Sequence, residues 1–278
     1  MLNDCVERVL LPYADMLKRH SHHSPKDDMP GFDQVFINVA GIVRNLSSHS
    51  DAARRRMRET DGLLDSLCDI VKLTALNADE NDINERGIEV FCCCQNSIKI
   101  LQQKGAVCAL RNLTYKIHRE SSNINQVRPK LTETKTKLLG LRTITSAAAY
   151  EEPHIPQPDP GAKGIDRLLE IAILLPLVTL MHNSTNPQTI EASIGIVQNL
   201  TADHYVTSAY LRAQFRKEKG LPILVERITD QSPTISHTSI IALRNLAVDL
   251  KNRDLVGKYG MKEVCMHIPD AKQVCFKD

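Results

Sequence analysis

One six-residue phrase returns four times along the chain: "VRNLSS" from Val43, "LRNLTY" from Leu110, "VQNLTA" from Val197 and "LRNLAV" from Leu243. A phrase that recurs with Asn at its centre implies a repeated structural unit, and a repeat array constrains the fold more than any single motif does. Three of the copies, at Asn45, Asn112 and Asn199, also match the N-x-S/T pattern of a sugar acceptor, as does Asn183-Ser184-Thr185. An acceptor needs an exposed loop in an exported protein, so that explanation stands or falls on setting.

The setting argues against it. The amino-terminal stretch is interrupted by Asp4, Glu7, Arg8 and Asp15 and lacks the basic start, apolar run and cleavage site of a secretory signal. The eight Cys, at 5, 68, 92, 93, 94, 108, 265 and 275, are expected as reduced thiols in a cytosolic chain. The longest apolar run, Ile171 to Met181, is broken by Pro176 and falls short of the ~20 residues that span a bilayer. With 4% aromatics, no Trp and a formal net charge of +2 over 278 residues, the chain is expected to build an aliphatic core on helices.

Helical spacing is visible within the phrase itself. In "INVAGIVRNLSS", Val39, Ile42, Val43 and Leu46 recur at steps of three and four and form an expected buried stripe, with Asn38, Gly41, Asn45 and Ser48 on a neighbouring face. In the last copy Ile240, Leu243 and Leu246 are expected inside, with Asn245 beside them and Thr238 two turns earlier. Two helical segments, "SAYLRAQFRKEKG" and "LPILVERITDQ", precede that last helix, which opens with Ser232 as cap and Pro233 in the first turn. Asn199 and Asn245 are 245 − 199 = 46 residues apart, within the roughly 40–47 of armadillo and HEAT units. The predicted fold is all-α: an armadillo-repeat, right-handed superhelical solenoid with three helices per unit.

In such an array the third helix of each unit lines a concave groove. A primary amide there can donate to one peptide carbonyl and accept from one peptide N–H, so a ladder of Asn would hold an extended chain whatever its side chains. The alternative is that each Asn ties its own helix to the neighbouring unit.

The segments "NVAGIVRNLSSHSDAARRRMRETDGLLDSL" (38–67), "ALRNLTYKIHRE" (109–120), "IEASIGIVQNLTA" (190–202) and "RKEKGLPILVERITD…ALRNLAVDLKNRDLVGKYG" (216–260) resemble the delta-catenin and plakophilin family of armadillo proteins. "RNLAVDLKNRDLVGKYG" and "YKIHRE" look closer to the delta-catenin branch. The resemblance implies a cytoplasmic, non-catalytic scaffold at adherens junctions on the inner face of the plasma membrane, with a nuclear pool as a further location. Its groove would hold the acidic juxtamembrane segment of a cadherin tail. It further implies groove roles for Asn38, Asn45, Asn112, Asn199 and Asn245. Arg44, Arg111 and Arg244, each one residue before a groove Asn, and Lys116 beyond Asn112 would bias that groove toward an acidic partner.

Three stretches depart from the pattern. "HSHHSPKDDMPG" (20–31) brings His20, His22 and His23 near Asp27 and Asp28 without metal-site spacing, and is expected as a solvated loop. Residues 78–105, containing Cys92, Cys93 and Cys94, are expected as an insertion that disturbs the setting of Asn112. Residues 121–163 are expected as a Pro-containing loop whose Arg128, Lys130, Lys135, Lys137 and Arg142 would meet anionic lipid, a Rho-type GTPase or the cadherin peptide. The expected layout is therefore armadillo repeats over 1–120, that loop, and armadillo repeats over 164–278. The chain is also expected to be part of a longer protein, since its ends lack polar capping units.

No phosphate-binding Gly loop, G-x-S-x-G or H-E-x-x-H is present, so neither an enzyme nor a cofactor or metal is expected. Two other readings remain: a Rho-type GTPase regulator or membrane-surface adaptor working through the basic loop, and an importin-like adaptor. The second reads basic peptides with paired Trp and Asn, and this chain has no Trp. Nucleic acid is not expected, because the basic residues are balanced by acidic ones without a stacking set of aromatics.

Overall fold

The computed structural model describes residues 2–20, 31–76, 89–117, 159, 161–202 and 205–259, and the regular elements among them are all helical. Helix α1 (Leu2–Cys5) runs through a π-helical turn (Val6–Leu10) into α2 (Leu11–His20). Then come α3 (Phe32–His49), α4 (Asp51–Arg58), α5 (Leu63–Leu76) and α6 (Glu89–Thr114). The second half holds α7 (Gly164–Leu168), a 3-10 turn (Ile171–Ile173), α8 (Leu174–Asn183), α9 (Pro187–Leu200), α10 (Val206–Lys217), α11 (Gly220–Arg227), α12 (Pro233–Leu246) and α13 (Leu250–Lys258).

Local chemistry sets the helix boundaries. Ser50 turns extended (φ −157°, ψ 164°) between α3 and α4, and its hydroxyl accepts from the Ala53 N–H at 3.1 Å. Asn186 caps α9 through the N–H groups of Gln188 and Thr189, with Pro187 in the first turn. Asp249 caps α13 by accepting from the Asn252 N–H. Ser232 holds the expected cap position of α12, but its hydroxyl pairs with the Thr234 hydroxyl at 2.9 Å, and the Asp230 carboxylate accepts its N–H instead.

The four phrases lie on α3, α6, α9 and α12, which pack side by side in that order. The row continues across the stretch between Thr114 and Pro187, because α6 packs directly on α9 and α5 on both α7 and α8. Behind the row the core is aliphatic: Leu63, Leu67, Ile70 and Val71 of α5, Leu174 and Leu177 of α8, and Leu221 and Leu224 of α11 are fully or almost fully buried. An aromatic patch closes the first unit, where Tyr13 stacks on Phe36 (centroids 4.1 Å apart) and gives its hydroxyl proton to Asp33 at 2.9 Å.

Two buried arginines receive the carboxyl ends of third helices. Arg58 of α4 donates to the Leu113 carbonyl at the end of α6, and Arg212 of α10 to the Thr201 carbonyl at the end of α9, both at 2.8 Å. A cation there satisfies an orphan carbonyl and meets the negative end of the helix dipole.

The expected stripes need one correction. Val43 is buried and Val39 and Leu46 are half-buried, but Ile42 is 45% exposed. Ile240, Leu243 and Leu246 are buried as expected. The reason for the difference is positional: among the described residues α3 is first in the row, with a third-helix neighbour, α6, on one flank. Within 78–105, the helix beginning at Glu89 continues unbroken to Thr114 and carries Asn112. Its later turns pack on α3, with Gln102 donating to Asp33 and Gly105 lying against Ala40. His22, His23, Asp27, Asp28, the side chains of Cys92, Cys93 and Cys94, and the basic residues Arg128, Lys130, Lys135, Lys137 and Arg142 lie outside the described residues.

Candidate functional site

The Asn residues of the phrase form a ladder that runs in one direction. Asn112 Nδ2 donates to the Arg44 carbonyl at 3.2 Å and to Ser47 Oγ at 3.0 Å. One unit on, Asn199 Nδ2 donates to the Arg111 carbonyl and to Thr114 Oγ1, both at 3.1 Å. One unit further, Asn245 Nδ2 donates to the Gln198 carbonyl at 2.9 Å. In every case the acceptor is the residue just before the previous Asn. A carbonyl oxygen only accepts, so the amide orientation is fixed with Nδ2 toward the neighbour.

This geometry explains why the phrase imitates a sugar acceptor. The hydroxyl two residues after Asn45 and Asn112 is there to receive the next unit's amide. Both N–H groups of Asn112 and Asn199 are thereby engaged, and their Oδ1 atoms have no hydrogen-bond partner among the described residues. Those oxygens keep their acceptor capacity, since an amide oxygen carries two lone pairs. Asn38 and Asn45 are exposed; Asn38 Oδ1 accepts from Gln34 at 3.2 Å and Asn45 Oδ1 from Arg44 at 3.3 Å.

The solvent-facing line of each third helix is the one carrying the residue before the Asn. On α6 this is Leu101, Lys104, Cys108 and Arg111; on α9, Gln188, Glu191 and Gln198; on α12, His237, Ile241 and Arg244. Glu191 was invisible to sequence reasoning as a site residue. It clamps Arg111 with two contacts at 2.7 and 3.0 Å, and Arg111 in turn lies across Gly195, where an added Cβ would stand 2.7 Å from its Nε. Lys116, in the left-handed conformation (φ 57°), sits 5.0 Å above the Tyr115 ring and pairs with Asp51 at 3.1 Å. Arg54 and Lys116 beside Asp51 hold its carboxyl below the usual range. Arg44 lies against the Asn45 amide, and Arg244 is exposed. Two of the four cations thus face carboxylates within the chain, leaving the positive character of the row to its two ends.

A cleft of about 1080 Å³ lies away from this row, among α5, α7, Asp159 and residues 161–163. Its charges answer one another: Asp69 takes both Lys18 at 2.7 Å and Arg167. Burial raises the Cys68 thiol there to about 12, so it is held as an inert neutral group.

No protein-family model matches the chain. Among curated proteins it is 34% identical over 251 residues to catenin delta-2 of Homo sapiens, covering 85% of this chain and 19% of that protein. It is 32% identical over 264 residues to plakophilin-4 of Homo sapiens, covering 84% and 20%. The chain belongs to the delta-catenin and plakophilin family of armadillo-repeat proteins. A third member, the splicing regulator ARVCF of Rattus norvegicus, is 28% identical over 290 residues, or 98% of this chain and 28% of that protein. The chain therefore spans between about a fifth and under a third of the length of these relatives.

A solved structure of computationally designed armadillo repeat proteins for modular peptide recognition superimposes with a TM-score of 0.51. It covers 99% of this chain and 79% of the design at 14% identity, a likeness of fold alone. The all-α armadillo solenoid expected from the phrase is thus the fold of this delta-catenin and plakophilin family member. Among the described residues no helix is long and apolar enough to cross a membrane.

Proposed function

We propose that this chain holds an extended acidic peptide along the row of third helices, and that the peptide is the juxtamembrane cytoplasmic segment of a cadherin at adherens junctions. The observation that carries the reading is the ladder: amides in register whose N–H groups face the neighbouring helix present an unpaired oxygen to main-chain N–H groups of a bound chain. Asn38 and Asn45 extend the same row at its first helix. Arg44 and Arg244 supply long-range attraction, while Arg111 and Lys116 contribute once the peptide competes for them with Glu191 and Asp51. The working place of such a complex is the cytoplasmic face of the junction, where retaining the tail supports cell–cell adhesion.

Calorimetric titration of the chain with an acidic cadherin juxtamembrane peptide, at low and moderate salt, tests the reading. Binding should weaken with salt and fall when Asn45 and Asn199 become Ala. Asn45→Ala is the cleaner arm, because no neighbouring unit uses its amide. A folded helical chain that binds no peptide sinks the groove. Binding that disappears on deleting residues 127–142, or that goes to anionic vesicles or a Rho-type GTPase instead, assigns the work to the basic loop.

A further inference from the structure

The row of third helices changes character at its third member. Counting back from the phrase Asn, position −1 is Arg44 on α3, Arg111 on α6 and Arg244 on α12, but Gln198 on α9. Position −8 is Lys104 on α6 and His237 on α12, but Glu191 on α9. At these two positions α9 brings no cation to the solvent-facing line and adds a carboxylate.

Arg111 leans into that gap. Its Nη1 and Nη2 reach Glu191 Oε2 and Oε1 at 3.0 and 2.7 Å, a fork of two bonds that closes the two charges on each other. The Thr238 hydroxyl of α12 stands 3.5 Å from Oε1, so the carboxylate is held from both flanks. Under the fork lies Gly195, one turn after Glu191, where a Cβ would stand 2.7 Å from Arg111 Nε and 3.1 Å from its Cγ and Cδ. Glycine weakens a helix interior, and this one leaves room for the arginine stem to lie flat. A staple between two helices needs no such seat, because carboxylate and cation alone would span the seam. The Arg111 side chain is 41% exposed against 18% for Glu191, so the fork is open to the row.

We infer that Glu191 and Gly195 set the charge register of the peptide in the groove: they hold Arg111 folded down, so that the middle of the row selects an uncharged segment while Arg44 and Arg244 select acidic ones on either side. The inference rests on the peptide-groove reading and narrows its ligand to a chain that is acidic, then uncharged, then acidic. From α3 to α12 there are three helix-to-helix steps of about 8–10 Å each, a span that about seven to nine extended residues cover at ~3.3 Å per residue. An acidic residue in the middle of that span has to break the fork before it gains a partner.

Two extended peptides of about nine residues test this by calorimetric titration of the full chain. Both carry Glu in the outer thirds; the middle third is Ser in one and Glu in the other. The unsubstituted chain binds the Ser-centred peptide at least as tightly as the Glu-centred one, despite the greater charge of the latter. Gly195→Ala alters no charge but pushes the Arg111 stem off its seat, and Glu191→Gln removes the fork. Each raises affinity for the Glu-centred peptide by about two- to fivefold relative to the Ser-centred one, the range of one partly exposed ion pair. Adding Arg111→Gln to either variant removes the gain, and circular dichroism shows each variant as helical as the parent. A preference of the unsubstituted chain for the Glu-centred peptide overturns the assignment. So does a Glu191→Gln gain that survives Arg111→Gln, which makes the carboxylate a plain negative charge, or an inert Gly195→Ala in a folded chain, which makes the fork a seam staple. Those three outcomes leave the groove standing. If the folded chain and its variants bind neither peptide, the groove itself fails and the charge register with it.

Discussion

Asn45→Ala and Asn199→Ala make the same chemical change in the same turn of the same kind of helix, yet the structure predicts very different costs. Asn199 donates both amide protons across a seam, to the Arg111 carbonyl and Thr114 Oγ1 at 3.1 Å each. At ~0.5–1.5 kcal/mol net per bond the loss is about 2 kcal/mol. Asn45 donates across no seam and its oxygen meets only Arg44, a contact expected to contribute within ~0.5 kcal/mol. Replacing Asn by Ala gains up to ~0.7 kcal/mol of helix propensity at both sites, so this gain cancels in the comparison. The difference should be about 2 kcal/mol, or roughly 4–8 °C in melting temperature. Urea unfolding followed by far-ultraviolet circular dichroism measures it. Thr114→Val in both backgrounds completes a cycle, and a coupling of ~0.5–1.5 kcal/mol with Asn199 alone is expected. Equal costs for the two Asn substitutions, or no coupling to Thr114, would refute the seam assignment.

Gly105→Ala should cost ~1–3 kcal/mol by forcing α6 away from Ala40, whereas Gly41→Ala, with nothing within 4 Å, should stabilise by ~0.5–1 kcal/mol through helix propensity; thermal melts of the two distinguish them. Burial lifts the Cys68 thiol from 9.0 to about 12 and the Tyr210 phenol from 10.0 to about 12, so both keep their protons longer in the folded chain than in the unfolded one. Their contribution is complete below the unfolded values and is lost as pH rises toward 12; stability should therefore fall on the alkaline side, and Cys68→Ala should flatten that slope in a pH series of urea midpoints. At pH 8 Cys68 should resist alkylation until the chain is unfolded, a result read by mass spectrometry of the modified peptides.

The repeat was legible because a buried helix face and its punctuation are local: the steps of three and four in the phrase, Pro187 and Pro233 at first turns, and a spacing that matches three helices. What was not legible depends on which helix stands beside which. Ile42 fits the apolar period as well as Val43 does, but among the described residues α3 has a third-helix neighbour on one flank only, and Ile42 is 45% exposed. Glu191 looked like an ordinary helical carboxylate, because its partner Arg111 is distant in sequence. The second meaning of Ser47 and Thr114 was present in the text of the phrase as a hydroxyl two residues after Asn, but its purpose appears only when the following unit's amide is placed over it. Nothing in the sequence singles out Arg58 and Arg212, whose burial at the ends of α6 and α9 makes them caps.

The one-way donation of the Asn ladder also bears on how such a chain can change over generations. At each of the three seams the later unit supplies an amide donor and the earlier one a main-chain carbonyl acceptor, with a hydroxyl added at the first two, like plugs and sockets on a string. Excising or duplicating a whole unit rejoins a donor to an acceptor of the same kind, so the array can change length without inventing a new junction. A deletion that removes part of a unit strands one half of a connector, and the chain must then either lose the joint or find a different neighbour for it.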